Sequence, residues 1–286
     1  MRSPSHPPQL FSWQLGDGTS LRGRLWRPLA RSAHSAVVYL HGIQSHGGWF
    51  EWSASLLASG GRLVLLPDRR GSGLNAEDRG DSPSAERWLD DLDDLAAWAQ
   101  AEFGVQRFDV VGVSWGGKPA VAWALRRPEL VGRVLLIAPG LFPAVDIGLR
   151  GRLGVGVSLV TRHPRQLTPI PLDDPALFTD NPAGRRFIGG DELKLTHVTA
   201  RFLFHSARLD RMLVRAAKGS LRADAELVLA GRDRIIRNVP TEAWLRRLSA
   251  SAPVVHTLAE AAHTLEFEVD VSVFEGLLLD WVQNDR

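Results

Sequence analysis

The sequence predicts an α/β fold built on a mostly parallel eight-stranded sheet with helices on both faces, and three observations carry that expectation. Short runs rich in Val, Leu and Ile, bounded by turn residues, alternate with longer segments of helical spacing, the pattern of parallel strands joined by crossover helices. The first two runs, 9–14 and 21–27, instead flank Gly16-Asp17-Gly18 and read as an antiparallel hairpin. A length of 286 residues with 44% hydrophobic and 23% charged composition excludes intrinsic disorder as the main state and suits one large core with an insertion as well as two domains.

The remaining strands are expected at 36–40, 62–66, 108–113, 133–138, 225–229 and 254–258, and helices at 49–59, 85–101, 115–126, 241–249 and about 271–282. In 85–101, Trp88, Leu92, Leu95 and Trp98 fall on one face, so Asp90, Asp91, Asp93 and Asp94 are expected on a solvated one. Between 138 and 225 no convincing strand occurs, an interval far longer than an ordinary crossover. Residues 141–213 are therefore expected to form a helical cap inserted after strand six, with its best helix at about 195–214, between core segments 1–140 and 214–286.

Composition narrows the chemistry. No cysteine is present, which rules out disulfides, thiolate metal sites and a cysteine nucleophile. The isoelectric point of about 9.5 contrasts with a formal charge of only +2 from 34 basic and 32 acidic residues. Its cause is residue type: only Lys118, Lys194 and Lys218 are lysines, the other basic residues are arginines, and few groups titrate between histidine and pH 10. The arginines are spread along the chain, which argues against a nucleic-acid track. Residues 1–10 carry no apolar run behind Arg2, and no stretch approaches a membrane-spanning length, so the expected location is cytoplasmic.

The strongest local signal is Gly112-Val113-Ser114-Trp115-Gly116-Gly117, between an expected strand and a helix that starts at once. So sharp a turn strains the backbone at Ser114, and the flanking glycines remove the Cβ clashes, projecting the hydroxyl above the sheet edge as a nucleophile. A serine nucleophile needs a base, and the base needs an acid to orient it. From the last cap helix onward only His205, His256 and His263 remain; His205 falls in that helix and His256 inside a strand, whereas His263 follows the last strand in a loop. For the acid, Asp233 stands just beyond the strand 225–229, where catalytic groups collect in parallel sheets, with Asp146 as the rival position. Oxyanion donors are expected from the backbone N–H of Trp115 and of Ile43, the latter in the loop His41-Gly42-Ile43-Gln44-Ser45-His46. His41 and His46 read as organisers of that loop rather than metal ligands.

These residues carry a resemblance. His41-Gly42, Asp68-Arg69-Arg70-Gly71-Ser72-Gly73, the segment 112–117, Gly231-Arg232-Asp233 and Ala262-His263 occur in the order and rough spacing of the α/β-hydrolase superfamily, over residues 9–282. The chain looks most like its monoacylglycerol lipase and lysophospholipase branch. The resemblance implies an α/β-hydrolase fold and a serine ester hydrolase that needs neither metal nor organic cofactor and acts on a small-molecule ester such as an acylglycerol. A serine at the elbow excludes the dehalogenase and epoxide hydrolase branches. Serine aminopeptidases or amidases and a non-catalytic ligand-binding protein of the same fold remain alternatives. The former would need a cap carboxylate for the substrate amine, with Asp173, Asp174, Asp180, Asp191 and Glu192 available.

Two departures stand out. Val113 and Trp115 occupy elbow positions where the family commonly carries His and Met, and the bulk of Trp115 predicts a narrower acyl side. The cap is also interrupted by Arg150, Arg152, Arg162, Arg165, Arg185 and Arg186, which read as surface residues or as recognition of an anionic substrate. Lys118 reads as a structural ion-pair partner. The sequence specifies neither membrane association nor oligomeric state.

Overall fold

The computed structural model describes residues 2–28 and 35–283. The hairpin β1 (Gln9–Gln14) and β2 (Ser20–Trp26) leads through β3 (Ser35–Leu40), α1 (Glu51–Ser59), β4 (Leu63–Pro67), α2 (Ala85–Phe103), β5 (Arg107–Val113), α3 (Gly117–Arg126) and β6 (Val131–Ile137). An inserted stretch then carries α4 (Gly148–Val160), β7 (Leu167–Pro169), α5 (Pro182–Gly190), β8 (His197–Thr199) and α6 (Ala200–Arg215). The chain returns to the sheet with β9 (Asp224–Ala230), α7 (Asn238–Leu248), β10 (Val254–Leu258) and α8 (Ser272–Gln283).

Eight strands form one sheet in the order β1-β2-β4-β3-β5-β6-β9-β10. β2 runs antiparallel to both neighbours and the pairs from β4 to β10 are parallel, so the α/β-hydrolase expectation holds. Each expected strand lies within two residues of its observed bounds. Central strands β3, β4 and β5 are buried along nearly their whole length, which explains why they read as continuous apolar runs rather than alternating ones. Trp26, Tyr39, Trp123, Phe108 and Phe274 are fully buried in the core, each contributing roughly 1.5–3 kcal/mol or more by transfer from water.

The inserted stretch departs from expectation in three ways. Helix α6 begins at Ala200 rather than near 195, because His197–Thr199 pairs with Leu167–Pro169 as a two-stranded ribbon. The Thr199 hydroxyl then caps the helix by accepting from Phe202 N–H at 3.1 Å. Three-residue strands are too short to show a period, which hid them in the sequence. Helix α4 exposes Leu149, Leu153, Val157 and Val160, the last 84% accessible, so the cap has a continuous apolar stripe on its outer side that the arginine count concealed.

The acidic face of α2 is also not simply solvated. Asp91 is buried and accepts from Arg70 Nη2 at 2.8 Å and Arg87 Nε at 2.7 Å, while Asp93 accepts from Trp123 Nε1 and the Arg127 guanidinium. Burial pushes the Asp91 carboxyl up, and the two guanidiniums pull against it. Arg87 lies one turn earlier on α2 itself, but Arg70 comes from a distant loop and Trp123 and Arg127 from α3 and its C-terminal cap, contacts that helical periodicity does not encode.

Candidate active site

Ser114 follows β5 directly, with φ of +52°, a left-handed conformation that costs roughly 1–3 kcal/mol for a residue with a side chain. The neighbouring glycines make the turn possible by close approach. A Cβ at Gly112 would stand 2.7 Å from Gly117 Cα and 2.8 Å from Ala120 Cβ, and one at Gly116 would collide with the Leu40 carbonyl oxygen.

Two loops at the carboxyl ends of β9 and β10 supply the partners. Asp233 Oδ1 accepts from the N–H groups of Ile235 at 2.8 Å and Ile236 at 2.9 Å, which fixes the carboxylate. Its Oδ2 lies 2.8 Å from His263 Nδ1. A carboxylate only accepts, so Nδ1 carries the hydrogen and Nε2 is free to accept from the Ser114 hydroxyl, 2.9 Å away. The His263 and Asp233 side chains are 2% and 0% exposed. The loops are laced together by Arg232 N–H donating to Ala261 O and Gly231 N–H to Leu258 O. Ser114, His263 and Asp233 thus meet as one hydrogen-bonded chain. The rival Asp146 instead accepts from Gly148 N–H and pairs with Arg152 at 2.6 Å, partly exposed.

The two amides expected at the oxyanion are each fixed through the carbonyl of their own peptide group. Arg69 N–H donates to His41 Nε2 at 3.0 Å, so the His41 hydrogen sits on Nδ1, which donates to Gly42 O at 2.9 Å. Burial, reinforced by the Arg69 charge, lowers the His41 pKa to about 3 and keeps the ring neutral. Arg69 Nη1 donates to the same Gly42 oxygen at 3.0 Å and Nη2 donates to Ile43 O at 2.8 Å. In a trans peptide the N–H points opposite to the C=O, so anchoring Gly42 O turns the Ile43 N–H the other way. Likewise Ser114 O accepts from Gly140 N–H at 2.8 Å and from Gly117 N–H, which fixes the Trp115 N–H. Arg69 also lies over the Trp115 ring, 4.7 Å from its centroid, and so touches both halves of the arrangement. Sequence reasoning quoted Arg69 only as part of a motif. Its role depends on carbonyls 26 and 27 residues away, which no local pattern signals.

Two recesses open beside Ser114. A cavity of about 520 Å³ lies between Ile43, Trp115, Leu172, Leu203 and Ile236, bounded by α3, α6 and the rest of the inserted stretch. A slot of about 20 Å³ runs between Trp49, Phe50, Leu172, Phe178 and His263. The Trp115 indole is stacked on Phe202 and set edge-on to Trp88, so it walls the cavity on one side. Lys118 is the ion-pair partner expected: Nζ lies 2.8 Å from Asp210 Oδ1 and donates to Oδ2 at 3.0 Å and to Ser206 Oγ at 3.3 Å. Burial raises the Asp210 pKa, opposed by the Lys118 charge.

His46 organises its loop as expected, with Nδ1 accepting from Gly48 N–H and Nε2 bonded to Asp191 at 3.1 Å. Burial would raise Asp191, but hydrogen bonds from His46 and Trp49 outweigh it and hold the carboxyl low. Asp180 is surrounded by Arg185, Arg232 and Arg234, and Asp174 caps a turn by accepting from Ala176 N–H. His256 pairs with Glu226 across β10 and β9, away from Ser114. Among the described residues no helix is long and apolar enough to cross a membrane.

The chain is 29% identical over 266 residues to a 2-hydroxy-6-oxo-6-phenylhexa-2,4-dienoate hydrolase of Burkholderia cepacia, covering 87% of this chain and 88% of that one. The chain spans less than half the length of other curated relatives it matches: 14% of an uncharacterized abhydrolase domain-containing protein of Dictyostelium discoideum and 44% of YnbC of Escherichia coli. Among solved structures, a soluble variant of monoglyceride lipase from Saccharomyces cerevisiae in complex with a substrate analog superposes with a TM-score of 0.84 at 15% identity, over 99% of this chain and 97% of that one. The family described as Serine aminopeptidase, S33 matches residues 31–270. With the strand order and elbow described above, the chain belongs to the serine aminopeptidase S33 family of α/β hydrolases.

Proposed function

We propose that this hydrolase cleaves carboxylic esters through an acyl-enzyme intermediate. Ser114 attacks the ester carbonyl, His263 Nε2 takes the hydroxyl proton and returns it to the leaving alcohol, and Asp233 holds the His263 tautomer and stabilises the imidazolium. The N–H groups of Ile43 and Trp115 stabilise the oxyanion, each such donor being worth about 10²–10³ in rate. The observation that carries this reading is the unbroken chain from Asp233 Oδ2 through His263 to Ser114 Oγ, at 2.8 and 2.9 Å, ending on a serine with positive φ. Residues 141–213 act as a lid over a small-molecule ester, and the walls of the 520 Å³ cavity favour an acyl group of acylglycerol kind.

An ester fits better than a peptide. The two carboxylates at the large cavity, Asp146 and Asp210, are each paired with a cation, so neither is available for a substrate amine. The complete triad argues against a purely ligand-binding role. Ser114→Ala is expected to reduce release of p-nitrophenol from acetate through decanoate esters by about 10³-fold or more. Undiminished turnover contradicts the assignment.

A further inference from the structure

We propose that the large cavity selects acyl groups that carry a hydroxyl, recognised jointly by Ser206 and Asp210; this rests on Ser114 being the nucleophile of an ester hydrolase. The leaving alcohol must receive its proton from His263 Nε2, so it occupies the His263 side, where the slot is only about 20 Å³. The acyl chain then extends from the Ile43 and Trp115 amides into the 520 Å³ cavity. That cavity is mostly apolar, yet Lys118, Ser206 and Asp210 form a polar cluster in its wall.

Hydrogen-bond accounting shows what the cluster lacks. Ser206 Oγ accepts from Trp115 Nε1 at 2.9 Å and from Lys118 Nζ at 3.3 Å, two groups that can only donate. Both lone pairs are occupied, and among the described residues no acceptor takes the Ser206 hydroxyl hydrogen. Asp210 Oδ1 is ion-paired with the Lys118 ammonium at 2.8 Å and, among the described residues, accepts no well-formed hydrogen bond. Both oxygens neighbour Nζ, so they stand no more than about 6 Å apart, and one hydroxyl oxygen set between them would accept from Ser206 and donate to Asp210. A carbonyl would satisfy only half of this. The cluster is neutral overall, so an anion meets Asp210 and a cation meets Lys118, which leaves an uncharged hydroxyl as the matching group.

Position follows from the helix. Lys118 stands four residues beyond Ser114, about one turn, so the hydroxyl belongs roughly on the third to fifth carbon of the acyl chain. A buried polar pair left unmatched discriminates against a plain chain by about tenfold or more.

The test compares kcat/KM for methyl hexanoate, methyl 3-hydroxyhexanoate and methyl 5-hydroxyhexanoate, with propyl and 2-hydroxyethyl hexanoate as the alcohol-side pair. At least one hydroxyacyl ester is expected to exceed methyl hexanoate about tenfold, with the ratio falling toward one in Ser206→Ala and Asp210→Asn. Should Asp210→Asn fail to fold, Ser206→Ala carries the test. A wild-type ratio at or below one at both positions, a ratio unchanged in Ser206→Ala, or a preference confined to the 2-hydroxyethyl ester overturns the proposal. Failure to cleave any of these esters would count against the ester reading instead. The cavity is then tested by thermal-shift titration of Ser114→Ala with hexanamide and with 3- and 5-hydroxyhexanamide: tighter binding of a hydroxylated amide supports the proposal, and equal binding overturns it.

Discussion

The two sides of Ser114 are built differently. On the His263 side, every partner sits within a few residues of a strand end, held by backbone bonds such as Ile235 N–H and Ile236 N–H to Asp233. On the Trp115 side, the cavity wall depends on side chains that meet across 88 to 92 residues, Lys118 with Ser206 and Asp210. In the proposed mechanism the sheet therefore positions the chemistry, and the inserted stretch governs the choice of substrate. Changes on the first side should lower the rate for every substrate, and changes on the second should alter which substrate is preferred.

The largest effect separates these roles. His263→Ala and Asp233→Asn are expected to lower kcat by about 10³–10⁴-fold on all esters alike with little change in KM, measured by steady-state kinetics. A loss confined to long acyl chains would move His263 to the binding side of the comparison. Arg69→Met tests the link between the two sides, because this residue anchors the Gly42–Ile43 carbonyls and stacks on Trp115. Its kcat should fall about 10–100-fold with KM nearly constant, and affinity for a boronic acid that mimics the tetrahedral state should fall in parallel, with partial rescue by Arg69→Lys. A change in KM alone would show that Arg69 only shapes the cavity.

A smaller effect concerns stability. Glu266 is buried beside the His263 loop, with Oε1 accepting from Ser53 N–H at 3.0 Å and Oε2 without a partner among the described residues, and burial pushes its pKa up to about 8. The folded protein thus holds this proton more tightly than the unfolded chain. The stability it contributes is full below about pH 4.5 and is lost as pH rises toward 8. Thermal melts should show Glu266→Gln gaining on the wild type across that interval, and parallel curves would contradict the assignment. The smallest effect belongs to Leu153→Ser on the exposed stripe of α4, where a change in Tm below about 2 °C is expected because the side chain is 61% exposed.

The same division governs how much the sequence reveals. The meeting of Ser114, Asp233 and His263 was legible because a sharp strand-to-helix turn, an acid after one strand and a histidine after the last strand are local signatures attached to predicted strand ends. The placement of Arg69, Ser206 and Asp210 was not, since each meets partners distant in sequence. The α2 carboxylates misled for the same reason: periodicity assigns a residue to a helix face but not the arginine that arrives on it. In the cap, the β7–β8 ribbon fell below the length at which a period exists, whereas the eight strands of the main sheet were long and apolar enough to be placed within two residues.

The central claim, that Ser114 is a nucleophile activated by His263 and Asp233, is tested most directly by reacting the folded protein with a fluorophosphonate and mapping the adduct by mass spectrometry. The account predicts a single phosphonylated residue, Ser114, with labelling slowed by orders of magnitude in His263→Ala and abolished in Ser114→Ala. Folded protein that takes no label, or takes it at another residue, would contradict it.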